Sequence, residues 1–318
     1  MSAGSLRVAG WAGLQDSMPR AAVLSIHARV LATEPSTWED PSLVQLWGPR
    51  FGAYVVARED LPYFSLGRFP DDAKGRHRAT DLAARLHAFL DGRTMSYGQA
   101  GDGMGINANS LRYAATTGTV LIRWAGARAP TVWTVPPPDI DPLTARLELA
   151  RRYLHWFGPT TATAFRRWAG IGTGEAVRAF DALADSLIPT RTPIGDGSML
   201  VADEASFLAQ SGTSGGPGGT PSARLLPSGD AYFLLHGIDR ELVVPDAQRR
   251  NQLWTPRVWP GAVLVDGDIV GVWRRDGAKV SVDTWRQLTP QERTAVEAEA
   301  ASLPLPDLAT DVRVTWDR

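Results

Sequence analysis

The chain contains no cysteine. That excludes disulfides, thiolate zinc sites and a cysteine nucleophile, and it fits a reducing cytoplasm. Lysine is nearly absent too: of 33 basic residues only Lys74 and Lys279 are lysines. With abundant Ala, Gly and Pro, this arginine bias reads as the mark of a GC-rich genome, although arginine also grips phosphate bidentately where lysine acts as a point charge. The five histidines, His27, His77, His87, His155 and His236, include no i,i+4 pair. No metal site is therefore expected, and no organic cofactor motif stands out. HExxH, Walker A and GxSxG are all missing. "GDGMG" at 101–105 has the glycines of a nucleotide loop but follows no strand and lacks the spacing. No apolar run approaches the roughly 20 residues needed to cross a bilayer. Residues 1–10 carry one arginine and no signal-peptide core. A cytoplasmic protein without a membrane partner is expected.

What is present is enough for several units. The 318 residues are 44% hydrophobic and 21% charged, with a net charge of -1. That balance argues against an indiscriminate polycation but allows a local basic face. One stretch qualifies: Arg146, Arg151, Arg152, Arg166 and Arg167 face only Glu148 between positions 146 and 167.

Residues 77–90 place Leu82, Leu86, Phe89 and Leu90 on one helical face, with Gly92 as C-cap. A short helix or turn at 96–101 follows, then a third helix from Asn107 or Asn109 to Ala115. "TVLIRWAG" and "PTVWTV" read as a hairpin around 126–128. The order repeats: helices at 142–157, 160–169 and 174–187, then "IPTRTP" and "SMLVAD" around a turn at 195–197. Three helices followed by a hairpin is the winged-helix order. The first 72 residues are read as a degenerate copy, with helices at 19–31 and 41–47 and strand-like "FGAYVVA" and "YFSLGR".

"QSGTSGGPGGTPS" reads as a flexible linker. Beyond it the chain is mainly β, in "AYFLLH", "GAVLVDGDIVGVWRR", "AKVSVDTWRQL" and "DVRVTWDR", with a helix at 289–303 opened by a Thr289/Glu292 capping box. The first Asp-Gly of "VLVDGDIVG" is a strong hairpin signal. The expected fold class is α+β: tandem winged-helix units followed by a small C-terminal β-barrel. The expected boundaries are 1–72, 73–138 and 139–208 for the winged helices, 209–224 for the linker, and 225–318 for the barrel with its helix and closing strand.

Tandem winged helices point to nucleic acid, because the third helix of such a unit can enter the major groove with a wing beside it. "NANSLRYAATTG" offers Asn109 and Arg112 for base edges; asparagine can read adenine and arginine guanine. Arg151, Arg152 and Arg166 are the phosphate candidates, and Arg274, beside Trp273 at the end of the hairpin, is a further contact. The competing reading makes these residues caps and solvated faces of a protein–protein module.

Four segments carry a resemblance: "GLQDSMPRAA" (13–22), "ARRYLHWFGPTTATAFRRWAG" (150–170), "LLPSGDAYFLLHGIDRELVV" (225–244) and "VLVDGDIVGVWRR" (263–275). Together they resemble the winged-helix DNA-binding-domain family that includes the bacterial AlkZ and AlkX (YcaQ) DNA glycosylases. The resemblance implies a monomeric, metal-free and cofactor-free protein acting on double-stranded DNA. It implies hydrolysis of the N-glycosidic bond of alkylated or crosslinked bases, as a DNA-repair hydrolase. It also implies that the "VDGDIVG" hairpin, with Asp266 and Gly267 at its tip, approaches the minor groove.

The family's site signature is Gln, a hydrophobic residue, then Gln or Asp. Here the three positions hold Gln15, Asp16 and Ser17. The first matches, the middle one is acidic, and the last is serine, which is shorter and cannot accept a proton at neutral pH. Asp16 could supply a carboxylate only through a register slip, since one residue along a helix rotates a side chain by about 100°. Read locally, Asp16 or Ser17 is also an ordinary cap for a helix beginning near Pro19. Two expectations follow. Asp16 facing a cleft would support catalysis; Asp16 buried or capping would support a catalytically silent DNA-binding relative, a damage sensor or regulator.

Overall fold

The computed structural model describes residues 3–16, 20–124, 129–210, 221–305 and 311–317. Ser17, the 126–128 turn and most of the glycine-rich linker lie outside the described residues.

The N-terminal half is organised on a six-stranded sheet. After α1 (Ala3–Ala9), β1 (Leu14–Gln15) and α2 (Ala21–His27) come β2 (Leu43–Trp47) and β3 (Ala53–Ala57), then the short α3 (Leu61–Ser65). α4 (Ala73–Leu90), β4 (Met95–Ser96), α5 (Tyr97–Gly103) and a 3-10 run over Ala108–Thr117 lead into the hairpin β5 (Val120–Arg123) and β6 (Thr131–Thr134). The strand order is β1-β3-β2-β5-β6-β4, so strands from residues 1–72 and from 73–138 share one sheet, joined where Gln45 pairs with Ile122. Leu82, Leu86 and Leu90 of α4 pack with Leu111 onto Val120, Ile122 and Val132. That is the apolar face the sequence period predicts.

Two segments adopt the opposite structure from that expected. The pattern of residues 41–47 predicts a helix, but Leu43–Trp47 is a central strand, buried at every position. A strand flanked on both edges and covered on both faces needs no polar alternation, so its period is unreadable. "YFSLGR" reads as strand, but it forms α3 and a 3-10 turn over Leu66–Arg68. Pro62 opens that helix, and Phe64 is buried under it against Trp168.

The next unit follows the expected order closely. α6 (Pro142–Phe157), capped by Asp141, is succeeded by α7 (Ala162–Ala169) and α8 (Thr173–Ala182). β7 (Leu187–Thr192) and β8 (Gly195–Leu200) then pair as a hairpin. The turn lies at Pro193-Ile194, because Thr192 pairs with Gly195; Gly195, Asp196 and Gly197 are strand residues. Proline fixes the first central turn residue, and that outweighs the glycine pair that suggested the later position.

α9 (Glu204–Gln210) precedes a second mixed layer. β9 (Ala223–Leu226), α10 (Ala247–Leu253), β10 (Gly261–Val265), β11 (Asp268–Asp276), β12 (Lys279–Thr284), α11 (Pro290–Ser302) and β13 (Arg313–Trp316) form a five-stranded sheet with two helices. Its order is β13-β12-β11-β10-β9, antiparallel except for the parallel β12/β13 pair, and β9 and β13 are its ends among the described residues. Val263 and Val265 face Val296 and Ala300 of α11, while Ala262 and Leu264 face Phe233, Leu253 and Trp254 on the other side. α11 carries the predicted Thr289/Glu292 capping box. "AYFLLH" reads as a strand, but Ala231–Phe233 is a 3-10 turn capped by Asp230. The architecture is thus α+β with three sheets. Among the described helices none is long and apolar enough to cross a membrane.

Candidate nucleic-acid site

The site is built where the first strand meets the C-terminal layer. Gln15 is held on β1 by its pairing with Tyr54. Asp16, the next residue, leaves the sheet with its N–H still donating to the Ala53 carbonyl at 2.8 Å. Its carboxylate turns inward and is only 2% exposed. One oxygen accepts from the Ala22 N–H at 3.0 Å, in the first turn of α2, and the other from the Gln45 amide at 2.7 Å. The Gln45 amide has no freedom to reverse, because its oxygen accepts from the Trp124 N–H. Asp16 therefore ties β1, β2 and the start of α2 together, and it is not open to a water in a cleft.

Burial pushes the Asp16 carboxyl up to about 6, against the pull of the Ala22 N–H, the Arg20 guanidinium, the Ala21 N–H and the Gln45 amide. A raised carboxyl pKa means that the native protein keeps a proton the unfolded chain releases near 3.8. Stability then falls as pH rises from about 4 to about 6, and is flat above. Two pKa units correspond to about 3 kcal/mol. Urea titrations across this range are expected to show that loss in wild type, and Asp16→Asn is expected to flatten it; an equal slope in both proteins would refute the assignment.

Gln15 meets the turn of "LLPSGDAYF" that links β9 to the 3-10 segment. The Asp230 N–H closes that turn onto the Pro227 carbonyl at 3.1 Å, with Gly229 at φ 75°. A Cβ on Gly229 would lie 3.3 Å from both the Gln15 amide carbon and Nε2. Glycine is required there on two counts, the left-handed backbone and the approach of Gln15. Asp230 is fully buried beneath the turn and takes Arg29 bidentately, at 2.8 and 2.7 Å, plus the Tyr232 N–H at 2.9 Å. Burial would raise its pKa, but the Arg29 charge and hydrogen bonds hold it below the usual carboxylate value. Arg29 follows α2, so this ion pair clamps the N-terminal unit to the C-terminal layer at Gln15.

The predicted hairpin tip belongs to the same group. Asp266 and Gly267 take φ of 51° and 91°, the two positive values of a tight I′ turn. Both residues are exposed, and the Gly267 carbonyl accepts from the Tyr232 hydroxyl at 2.7 Å, two residues beyond Asp230. Arg274 is exposed on β11 and borders a cavity of 290 Å³ with Ala21 and Leu24 of α2 and Trp259 and Trp273. Gln15 meets the Gly229 turn and the Asp266-Gly267 tip is tied to the same segment through Tyr232, whereas Arg274 lies toward the other end of β11.

The other candidates separate. Arg112 lines a second cavity, 420 Å³, with Trp47, Tyr97, Trp124 and Ala53, the residue bonded to the Asp16 N–H. Its Nε is buried with no hydrogen-bond acceptor among the described residues. Asn109 is exposed on the 3-10 run, whose cap is Asn107. Arg151 is exposed beside Glu148, and Arg166 is half-buried on α7. Arg152 is not a surface cation. It is 2% exposed, bonded to Glu148, to Asp60 and to the Trp11 carbonyl. Arg146 is likewise buried on Asp71 and the Gly67 carbonyl. Two of the five arginines of the basic stretch thus serve internal ion pairs, since an amphipathic helix buries whatever falls on its inner face. Sequence reasoning did not single out Gln45, Arg29, Gly229 or Asp230. The only signal for the last two was that "LLPSGDAYF" belongs to a resembling segment.

Helices followed by a hairpin, with a β layer packed where the first strand ends at Gln15, make up the frame of the site. The chain belongs to the AlkZ-like DNA glycosylase family, whose model, "DNA glycosylase AlkZ-like", matches residues 8–304. It shares its fold with the Streptomyces sahachiroi DNA glycosylase AlkZ, at a TM-score of 0.74 and 19% identity, over 98% of this chain and 93% of that one. Among curated proteins none matches the chain. Among the described residues no group of three or more His, Asp or Glu is placed to hold a metal ion.

Proposed function

We propose that this protein binds double-stranded DNA and hydrolyses the N-glycosidic bond of N7-alkylated purines, with Gln15 and not Asp16 at the attacking water. On this reading the helical units are winged helices and the C-terminal layer is the barrel that carries the minor-groove hairpin. The observation that carries it is the position of Gln15: a half-buried residue held on β1 at the junction, its amide oxygen turned inward, next to a carboxylate that is sealed away.

The chemistry suits an amide. An N7-alkylpurine is already cationic, so when the bond from C1′ to the base breaks, the bonding pair neutralises the leaving base and no acid is needed. Water adds its oxygen to C1′ and releases its proton to solvent. A neutral amide can hold that water by hydrogen bonds while positive charge develops on the sugar. With Asp16 sealed, such a site is confined to lesions that are activated in advance.

The second reading is catalytic silence with DNA binding retained, and the burial of Asp16 is what favours it. One experiment separates them. Wild type incubated with a duplex carrying N7-methylguanine is expected to release the free base, and Asp16→Asn is expected to retain release. Binding without release from any alkylated duplex would establish the silent reading. In either case duplex affinity is expected to fall by roughly 10³-fold between about 50 and 200 mM salt; no binding to duplex DNA refutes both.

A further inference from the structure

A cationic cluster surrounds His236. It is assembled from three separate parts of the chain. Arg50 follows β2 and packs against Gly170, the C-cap of α7; a Cβ on Gly170 would sit 3.0 Å from the Arg50 nitrogen. Arg167, three residues before that cap, is exposed and lies against Gly237, where a Cβ would be 3.0 Å from its Nη1. Arg240 donates from Nε to the Leu235 carbonyl at 3.0 Å and lies over the rings of Trp254 and Trp259. The residue between Leu235 and Gly237 is His236, whose Nε2 is buried with no hydrogen-bond partner among the described residues.

These cations are not held in close ion pairs. Among the described residues none of the three guanidiniums has a carboxylate oxygen within 4.0 Å; nearby Glu241 is taken by Arg250. Asp239 is the carboxylate that feels Arg167, and burial moves its pKa up all the same. His236 is held neutral, down to about 4, by burial and then by Arg50, Arg240 and Arg167. An arrangement this costly is stabilised when an anion enters, and planar guanidiniums match phosphate oxygens in pairs.

We infer that Arg50, Arg167, Arg240 and His236 form a receptor for a backbone phosphate of the bound duplex. The inference rests on the DNA-binding reading. A phosphate contact positions the duplex and carries no sequence information.

The test is a salt titration of binding to an undamaged duplex. Arg167→Gln is the primary variant, because this side chain is exposed. Arg50→Gln is the second, and Lys279→Gln, on β12, is the charge control. Each arginine variant is expected to weaken binding by roughly tenfold, equally for different sequences, and to lower the slope of log K against log salt by about 0.9 for each phosphate no longer neutralised. Lys279→Gln is expected to match wild type. Wild-type binding with unchanged affinity and slope in both arginine variants overturns the receptor and leaves the DNA reading standing. A wild type that binds no duplex overturns both.

Discussion

Asp230→Ala is expected to destabilise the protein by about 3–5 kcal/mol, enough to lower its thermal midpoint by several degrees and to release the C-terminal layer from α2. Arg29 is the reason. Its guanidinium is only 18% exposed, and its two Nη atoms both donate to Asp230. Truncation leaves that charge with one acceptor, the Ser25 carbonyl at 2.8 Å, and strips the cap from the Tyr232 N–H. Breaking one side of a buried pair costs far more than replacing the pair, because the remaining charge has lost both its water and its partner. The expected signature is therefore asymmetric. Asp230→Ala is expected to cost more than the double change Arg29→Met with Asp230→Leu. A single-variant loss under about 1 kcal/mol in chemical denaturation would show that the clamp is not what holds the two parts together. Since the Gly229 turn that meets Gln15 hangs from Asp230, base release is expected to fall along with stability.

Gln15→Ala is expected to lower base release from N7-methylguanine duplex by roughly 10²–10³-fold, the effect of removing one positioned polar group from a reacting centre. Folding is expected to survive, because Gln15 contributes its backbone to β1 and its amide to the junction, and alanine keeps the former. Duplex affinity is expected to change little, which places the loss in the chemical step. The amide is neutral, so no step in the pH–rate profile should disappear with it. Gly229→Ala probes the same point from the other side. An added methyl is forced within 3.3 Å of the Gln15 amide on a backbone at φ 75°, so it is expected to reduce release without removing any functional group. Full activity in Gln15→Ala would refute the assignment of the water to this residue.

Much of the local structure is legible in the chain. α4 and α6 announce themselves by apolar residues every three to four positions, and α11 by its cap, Thr289. The β10/β11 hairpin follows from Asp266-Gly267, a pair that accepts two positive φ values. These features depend on neighbours within four or five residues, so a sequence displays them directly. The strand β2 is misread for the opposite reason. Its five buried residues have no exposed partner to alternate with, and only the strands on either side make it a strand.

The sequence by itself determined the α+β class, the order of three helices and a hairpin at 142–200, and the absence of thiol chemistry. Only the tertiary structure decided where Gln15 and Asp16 lie. Asp16 turns inward because Gln45 and the Ala22 N–H wait for it, from residues 29 and 6 positions away. Arg152 is an internal ion-pair residue because Asp60, 92 positions distant, lies beneath it. Gln15 acquires its setting from a turn more than two hundred residues later. Burial and charge pairing are properties of surfaces brought together by folding, and nothing in the spacing of residues along the chain encodes which carboxylate will be covered and which arginine left free.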